Sequence, residues 1–197
     1  MRPRSTGAQR DKVDPGAVSD MKRERVLEAR AAAWIDARGM ASVTIPPEVI
    51  RPPGADPADY ADGGDLLVRL LPCVDPGDHR VISVKHDYGS NFTSLDTYAT
   101  PRIPVGIVGN YSAEDLPLAV FVWNNPGTHF AIVKPEKTYH KWRRFPVKIT
   151  RSTGHVSDYM GLFCPVGLVS RWVFDETPED LRQKWFEKAA QPSRYSI

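Results

Sequence analysis

The residues with the clearest chemical potential in this chain are an acid and a lysine at the ends of two apolar segments. Asp65 directly precedes the segment Leu66–Leu71, and Lys85 directly follows Val81–Val84. Carboxylate oxygens are ligands that Mg²⁺ prefers, and a lysine beside such an ion can orient water or stabilise developing negative charge. If the fold brings the two together, they could form a divalent-metal site that activates water. The alternative is that Asp65 is a turn residue and Lys85 a surface lysine.

A helix is expected before these two residues. Ser19 or Asp20 can cap its beginning, and Gly39 suits a left-handed residue at its end. Four apolar residues fall on one helical face, namely Leu27, Ala31, Trp34 and Ile35. Glu24 and Glu28 are four residues apart and therefore share one side of the helix. Glu28 adjoins the apolar face, so we expect it to point towards the core.

Two β-hairpins are predicted after the helix, because pairs of apolar segments flank short turns. Their strands are the segments 66–71 with 81–84, and 118–123 with 129–133. Successive side chains of a strand point to opposite faces. Ser83 and Lys85 should therefore share one face of the first hairpin, with Val84 on the other.

The order of helix, several strands and helix predicts the α+β class, with a single mixed β-sheet flanked by helices. Further strands are expected at 103–108, 145–149 and 166–174. Thr177 should cap a final helix that runs to about Ala190. We expect three regions, which are a flexible basic arm at 1–18, one domain at 19–174, and a C-terminal helix and tail at 175–197.

Glu28 lies on a predicted helix that ends at Gly39. Asp65 stands at the entry of a predicted strand, and Lys85 stands at the end of the next one. This pattern resembles the PD-(D/E)xK nuclease superfamily. The similarity extends over roughly residues 20 to 90, and within the superfamily it is greatest to archaeal Holliday-junction resolvases and to small phage proteins of that fold. The resemblance implies a restriction-endonuclease-like fold and a Mg²⁺- or Mn²⁺-dependent DNA endonuclease or resolvase-like phosphodiesterase. Resolvases of this type act as homodimers.

The resemblance also implies roles for individual residues. Asp65 matches the metal-binding acid, aided by Asp87 or Asp62 and by the Val84 carbonyl. Lys85 matches the lysine that positions the attacking water. Glu28 would bind a second metal ion or support the ligands of the first.

The chain departs from the family pattern at one position. Ser83 stands where the family has Asp or Glu, and a neutral hydroxyl is a poorer ligand for a hard cation than a carboxylate. Either another acid replaces it, or the chain keeps the fold and binds nucleic acid without cleaving it. A third hypothesis is a non-enzymatic phage structural or interaction protein.

Positive charge is concentrated in one stretch of the chain. Between residues 134 and 151 there are seven Lys or Arg against one acid, whereas the whole chain carries only +2. A concentrated patch of this kind attracts phosphates. The predicted DNA-binding residues are Lys134, Lys137, Lys141, Trp142, Arg143, Arg144, Lys148 and Arg151. Trp142 is equally compatible with stacking on a base and with a place in the core.

The composition excludes several other classes. There is no apolar run of 18 residues and no apolar segment near the start, so neither a transmembrane helix nor a signal peptide is predicted. The two cysteines, Cys73 and Cys164, cannot form a multi-bridge framework or a four-thiolate zinc site. We therefore expect a cytoplasmic protein, in the host cytoplasm if the chain is phage-encoded, with no membrane partner.

Overall fold

The computed structural model describes residues 15–46, 66–72, 78–150 and 156–190. Three of the predicted site residues lie outside the described residues, and they are Asp62, Asp65 and Arg151. The same holds for most of the predicted basic arm. Within the described ranges, no helix is long and apolar enough to cross a bilayer.

The protein belongs to the α+β class, with three helices and two sheets in its described part. The helices are α1 (Pro15–Asp36), α2 (Pro135–Thr138) and α3 (Glu179–Ala189). The strands are β1 (Ala41–Thr44), β2 (Leu66–Leu70), β3 (Arg80–His86), β4 (Arg102–Ile107), β5 (Ala119–Trp123), β6 (His129–Val133), β7 (Arg143–Thr150), β8 (Val156–Pro165) and β9 (Arg171–Phe174).

The larger sheet has six strands in the order β1-β2-β3-β5-β6-β9. Strands β3 and β5 run parallel, and every other neighbouring pair is antiparallel. Both predicted hairpins are confirmed, since β2 pairs with β3 and β5 pairs with β6. The mixed character of this sheet also agrees with the prediction.

The prediction of a single sheet is wrong, because three strands form a separate antiparallel sheet in the order β4-β8-β7. The predicted strand 166–174 is confirmed only in its second part, which forms β9 (Arg171–Phe174). Its first half belongs to a 3₁₀ turn, Val166–Leu168, and β8 ends just before it at Pro165. Local apolar patterning identifies strands but not their partners, which depend on contacts distant in sequence.

Helix α1 buries the face predicted for it. Leu27, Ala31, Trp34 and Ile35 are each less than a tenth exposed. Gly39 has a φ of +62°, the left-handed conformation expected after a helix end. The helix begins at Pro15, earlier than the predicted caps Ser19 and Asp20.

Helix α3 begins at Glu179 as its sequence indicates, but its cap differs from the prediction. Pro178 occupies the N-cap position and Thr177 precedes it without capping the helix through its side chain. The Thr177 amide instead donates to the Asp175 carboxylate at 3.1 Å. The chain enters α3 through this buried turn, and Trp185 anchors the helix to the same core as α1.

The two faces of the large sheet belong to different cores. Helix α1 covers the face that carries Val84, Phe121 and Trp123. The opposite face, with Val120 and Val122, packs against the small sheet. Its partners there are Ile103, Val105, Leu162 and Cys164. The predicted site residues of β3 are therefore divided between a helix-covered face and a sheet-covered face.

Candidate functional site

The parallel strands β3 and β5 end at the same edge of the large sheet. His86 closes β3, and Asn124 follows β5. The backbone joins the two ends, since the Asp87 amide donates to the Trp123 carbonyl at 2.8 Å. Ligands of α/β sheets commonly bind beyond the carboxyl ends of parallel strands. This edge, which carries Lys85, His86 and Asp87, is the candidate site.

Lys85 lies near the end of β3 and is half-buried. It pairs with Val122, and Ser83 pairs with Val120, so both side chains lie on the face that packs against the small sheet. Val84 belongs to the opposite core. The predicted alternation within β3 is confirmed.

Ser83 occupies a packed position between the two sheets and is only 1% exposed. Its Oγ atom lies 2.9 Å from the Tyr111 hydroxyl, which also reaches the Val105 carbonyl oxygen at 3.0 Å. A neutral hydroxyl suits this site, because a buried charge carries a large desolvation penalty. Packing between the two sheets therefore explains why a serine occupies this position, which the sequence pattern did not reveal.

Asp87 is the acid nearest to Lys85 among the described residues of β3 and its following loop. One carboxylate oxygen accepts a hydrogen bond from the Tyr98 hydroxyl at 2.6 Å, and the other accepts one from the Gly89 amide at 3.3 Å. Burial and the hydrogen bond to Asp87 raise the pKa of Tyr98, so the tyrosine keeps its proton and acts as a donor. The Asp87 side chain is thereby held in a defined orientation at the sheet edge.

His86 points to the face covered by α1, away from Lys85. Its Nε2 atom lies 3.2 Å from the Asn125 carbonyl oxygen, and its ring lies 4.0 Å from that of Tyr88. Burial lowers the pKa of His86, which favours the neutral imidazole. A carbonyl oxygen only accepts, so the neutral ring carries its proton on Nε2.

Glu28 lies on α1 and forms an ion pair with Arg25, which also donates to the Pro46 carbonyl at 3.0 Å. The structure therefore separates Glu28 from Ser83 and Lys85 across the sheet, so Glu28 does not lie beside Lys85 as the metal-supporting role implied by the PD-(D/E)xK resemblance requires. Helical periodicity predicted that Glu28 adjoins the buried stripe, but it did not indicate which face of the sheet that stripe covers.

The described residues do not by themselves supply a complete set of metal ligands. Within the described ranges, no group of three or more His, Cys, Asp or Glu side chains is close enough to hold an ion. Asp87 offers one carboxylate, and Val84 offers only its backbone carbonyl. The other two acids predicted as metal ligands, Asp65 and Asp62, lie outside the described residues.

The predicted DNA-binding residues fall into two groups. Six of them have exposed side chains, which we together call the cationic surface, namely Lys134, Lys137, Lys141, Arg143, Arg144 and Lys148. This surface spans both sides of the small sheet, because the register of β7 with β8 places Arg143 on one side and Arg144 and Lys148 on the other. Trp142 is 7% exposed, and its indole N–H donates to the Thr138 hydroxyl at 3.0 Å. Its ring packs against Tyr111 and Tyr139. This burial places Trp142 in the core and leaves it no open face for stacking on a base.

Sequence reasoning missed two polar residues that organise the candidate edge. Tyr98 orients Asp87, as described above. Asn124 is fully buried, and its side-chain oxygen accepts from the amides of Thr128 and His129 at 2.9 and 3.1 Å. Its side-chain nitrogen donates to the Phe92 carbonyl at 2.8 Å. The predicted hairpin of segments 118–123 and 129–133 includes the turn that contains Asn124 and Asn125, but nothing in its sequence shows which of the two asparagines is buried.

Comparison of the chain with protein-family models, with curated proteins and with solved structures found no significant match.

Proposed function

We propose that this protein is a metal-dependent nuclease that acts on DNA, with its active centre at the shared end of β3 and β5. The observation that carries the proposal is the parallel pairing of β3 with β5, which ends at Lys85 and His86 and is followed directly by Asp87. A lysine and an oriented carboxylate at such an edge are groups that metal-assisted phosphodiester hydrolysis can use.

In this proposal, Lys85 positions the attacking water or stabilises the negative charge that develops on the phosphate. Asp87, held by Tyr98, contributes an oxygen ligand, and Asp65 and Asp62 are the acids that would complete the ligand set. The divalent ion, when bound, neutralises phosphate charge and makes hydroxide available at neutral pH. Glu28 receives no direct part, because α1 holds it on the other face of the sheet.

The cationic surface supports a polyanionic substrate. Lys134, Lys137 and Lys141 are exposed around α2, and Arg143, Arg144 and Lys148 follow along β7. Cations grouped in this way bind phosphates without reading sequence.

We expect Lys85→Ala to lower the rate of DNA cleavage by about a hundredfold, which is the usual effect of removing one electrostatic or proton-transfer group. Wild type and variant are compared on supercoiled plasmid, single-stranded DNA and a four-way junction with Mg²⁺, Mn²⁺ or EDTA. Arg80→Ala is the matched control, because Arg80 begins the same strand and is exposed. It should cleave like wild type.

Cleavage by Lys85→Ala at the wild-type rate would contradict the assignment of the active centre. Cleavage that persists in EDTA would contradict the metal requirement. Circular dichroism of both variants distinguishes a lost function from a lost fold.

A second function, binding of nucleic acid without cleavage, is favoured by one observation. Ser83 is packed against Tyr111 between the two sheets, so the position that carries an acid in the PD-(D/E)xK pattern is here a buried neutral group. Wild type that binds DNA but cuts none of the three substrates would establish this second function over the first.

Either function predicts binding that weakens steeply with salt. The logarithm of the binding constant for duplex DNA should fall linearly with the logarithm of the salt concentration. Removal of two phosphate contacts in Lys137→Ala/Lys141→Ala should reduce the slope by about 1 to 2. Lys184→Ala/Lys188→Ala on α3 removes the same charge elsewhere and should leave the slope unchanged. A wild-type constant that is the same at ~50 and ~200 mM salt would exclude phosphate contacts.

A further inference from the structure

The small sheet has one face turned away from the core. Ile103, Val105, Leu162 and Cys164 point inwards, so the residues that alternate with them form the opposite side, which we call the outer face. Register pairs Phe145 with Gly161 and Val147 with Tyr159, which places these residues on the outer face together. The apolar members of this face are Pro104, Ile107, Phe145, Val147, Tyr159 and Phe163.

Two aromatic rings lie together on the outer face. Phe145 and Phe163 are each half-buried, and their ring centroids lie 5.6 Å apart at an interplanar angle of 75°. A side chain at position 161 would collide with Phe163 and Val147, because a Cβ atom there would lie 2.7 Å from atoms of both. Gly161 therefore leaves room for the Phe163 ring to lean along β8 over position 161.

Arginines border these rings. The Arg102 guanidinium lies 4.5 Å from the centroid of the Phe145 ring. Arg143 is directly opposite Phe163 in the register. Among the outer-face side chains that the structure describes there is no acid, since Asp158 lies opposite Lys148 on the other side of the sheet. The face therefore combines half-buried rings with positive charge, and none of its described side chains carries a negative charge.

We propose that the outer face binds single-stranded nucleic acid, with bases stacked on Phe145 and Phe163 and phosphates held by Arg102 and Arg143. This inference rests on the proposed function and narrows its substrate to nucleic acid that contains unpaired bases. Flat rings bordered by cations fit a chain of bases and phosphates. A duplex keeps the faces of its bases stacked inside and offers them to no protein ring.

The test measures fluorescence anisotropy of a labelled 15-nucleotide oligo(dT) and of a labelled 15-base-pair duplex with the full chain. We expect Phe145→Leu/Phe163→Leu to weaken oligo(dT) binding about tenfold or more, since each lost stack has a large effect. Leucine keeps the apolar packing and removes the flat ring. Duplex binding should change less than threefold.

Phe174→Leu is the matched control, because Phe174 is 54% exposed on β9 of the other sheet. It should bind both DNAs like wild type. Light scattering measures whether wild type and each variant are monomers or dimers. This second measurement is needed because an apolar face can also join two copies of the chain.

Three outcomes would overturn the inference. These are unchanged oligo(dT) binding by the double variant, an equal loss for both DNAs, or a wild-type dimer that the double variant converts to monomers without a change in oligo(dT) affinity. If wild type binds the duplex and the double variant binds oligo(dT) as wild type does, which is the first of these outcomes, this inference is overturned while the proposed function stands. A Lys85→Ala variant that cleaves normally would overturn the active centre and leave the outer face standing.

Discussion

Replacement of Asp175 by alanine should lower the free energy of unfolding by about 3–5 kcal/mol, the range measured when one partner of a buried ion pair is removed. The Asp175 side chain has no exposed surface. Its Oδ2 atom accepts from Arg30 Nε at 2.9 Å and lies 2.8 Å from Arg30 Nη2. The other carboxylate oxygen accepts from the Thr177 amide.

The position of Asp175 explains why the effect should be large. The residue follows β9, Arg30 belongs to α1, and Arg182 belongs to α3. Arg182 Nε lies 3.6 Å from the carboxylate, and Arg182 Nη2 donates to the Asp175 carbonyl at 2.9 Å. Removal of the carboxylate would leave two largely buried guanidinium groups without their counter-charge and would loosen the contact between the two helices.

The measurement is chemical denaturation followed by circular dichroism. Asp158→Ala is the matched control, because Asp158 forms an ion pair with Lys148 at 3.9 Å in which both side chains are exposed. Exposed pairs contribute about 0–1 kcal/mol. Equal losses for the two variants would show that the Asp175 cluster adds no more than a surface pair.

Trp34→Ala should also cost about 3–5 kcal/mol of unfolding free energy, the range for truncation of a large buried ring. Trp34 is 7% exposed and meets Phe121 and Phe130 edge to face at centroid distances of 5.7 and 5.1 Å. The Arg38 guanidinium covers the ring at 3.4 Å from its centroid. Alanine would leave a cavity where α1 rests on the large sheet.

Trp34→Phe separates the loss of volume from the loss of the indole N–H, which meets no acceptor within the described part of the chain. We expect Trp34→Phe to lose less than half as much stability as the alanine variant, because the ring contacts largely remain. Phe186→Ala serves as the control, since Phe186 is 44% exposed on α3. Near-wild-type stability of Trp34→Ala would mean that α1 does not depend on this contact.

The candidate site could be predicted only in part. That Ser83 and Lys85 share a face follows from strand alternation, which is a property of the backbone and needs no partner. The separation of Glu28 from Lys85 was not predictable, because an amphipathic helix can cover either face of a sheet. The sequence left Trp142 equally compatible with the surface and with the core, because its burial depends on contacts with Thr138, Tyr111 and Tyr139.

Local periodicity and turn chemistry were enough to predict α1 with its buried stripe, both hairpins, the left-handed Gly39 and the concentration of positive charge. These features depend on residues a few positions apart, so the amino-acid order determines them directly. The tertiary structure alone decided that β8 joins β4 and β7 in a second sheet, and that Asp175 is buried between Arg30 and Arg182 although it looks like any surface acid in the sequence. Such features depend on contacts between residues far apart in the chain, which leave no local pattern to read.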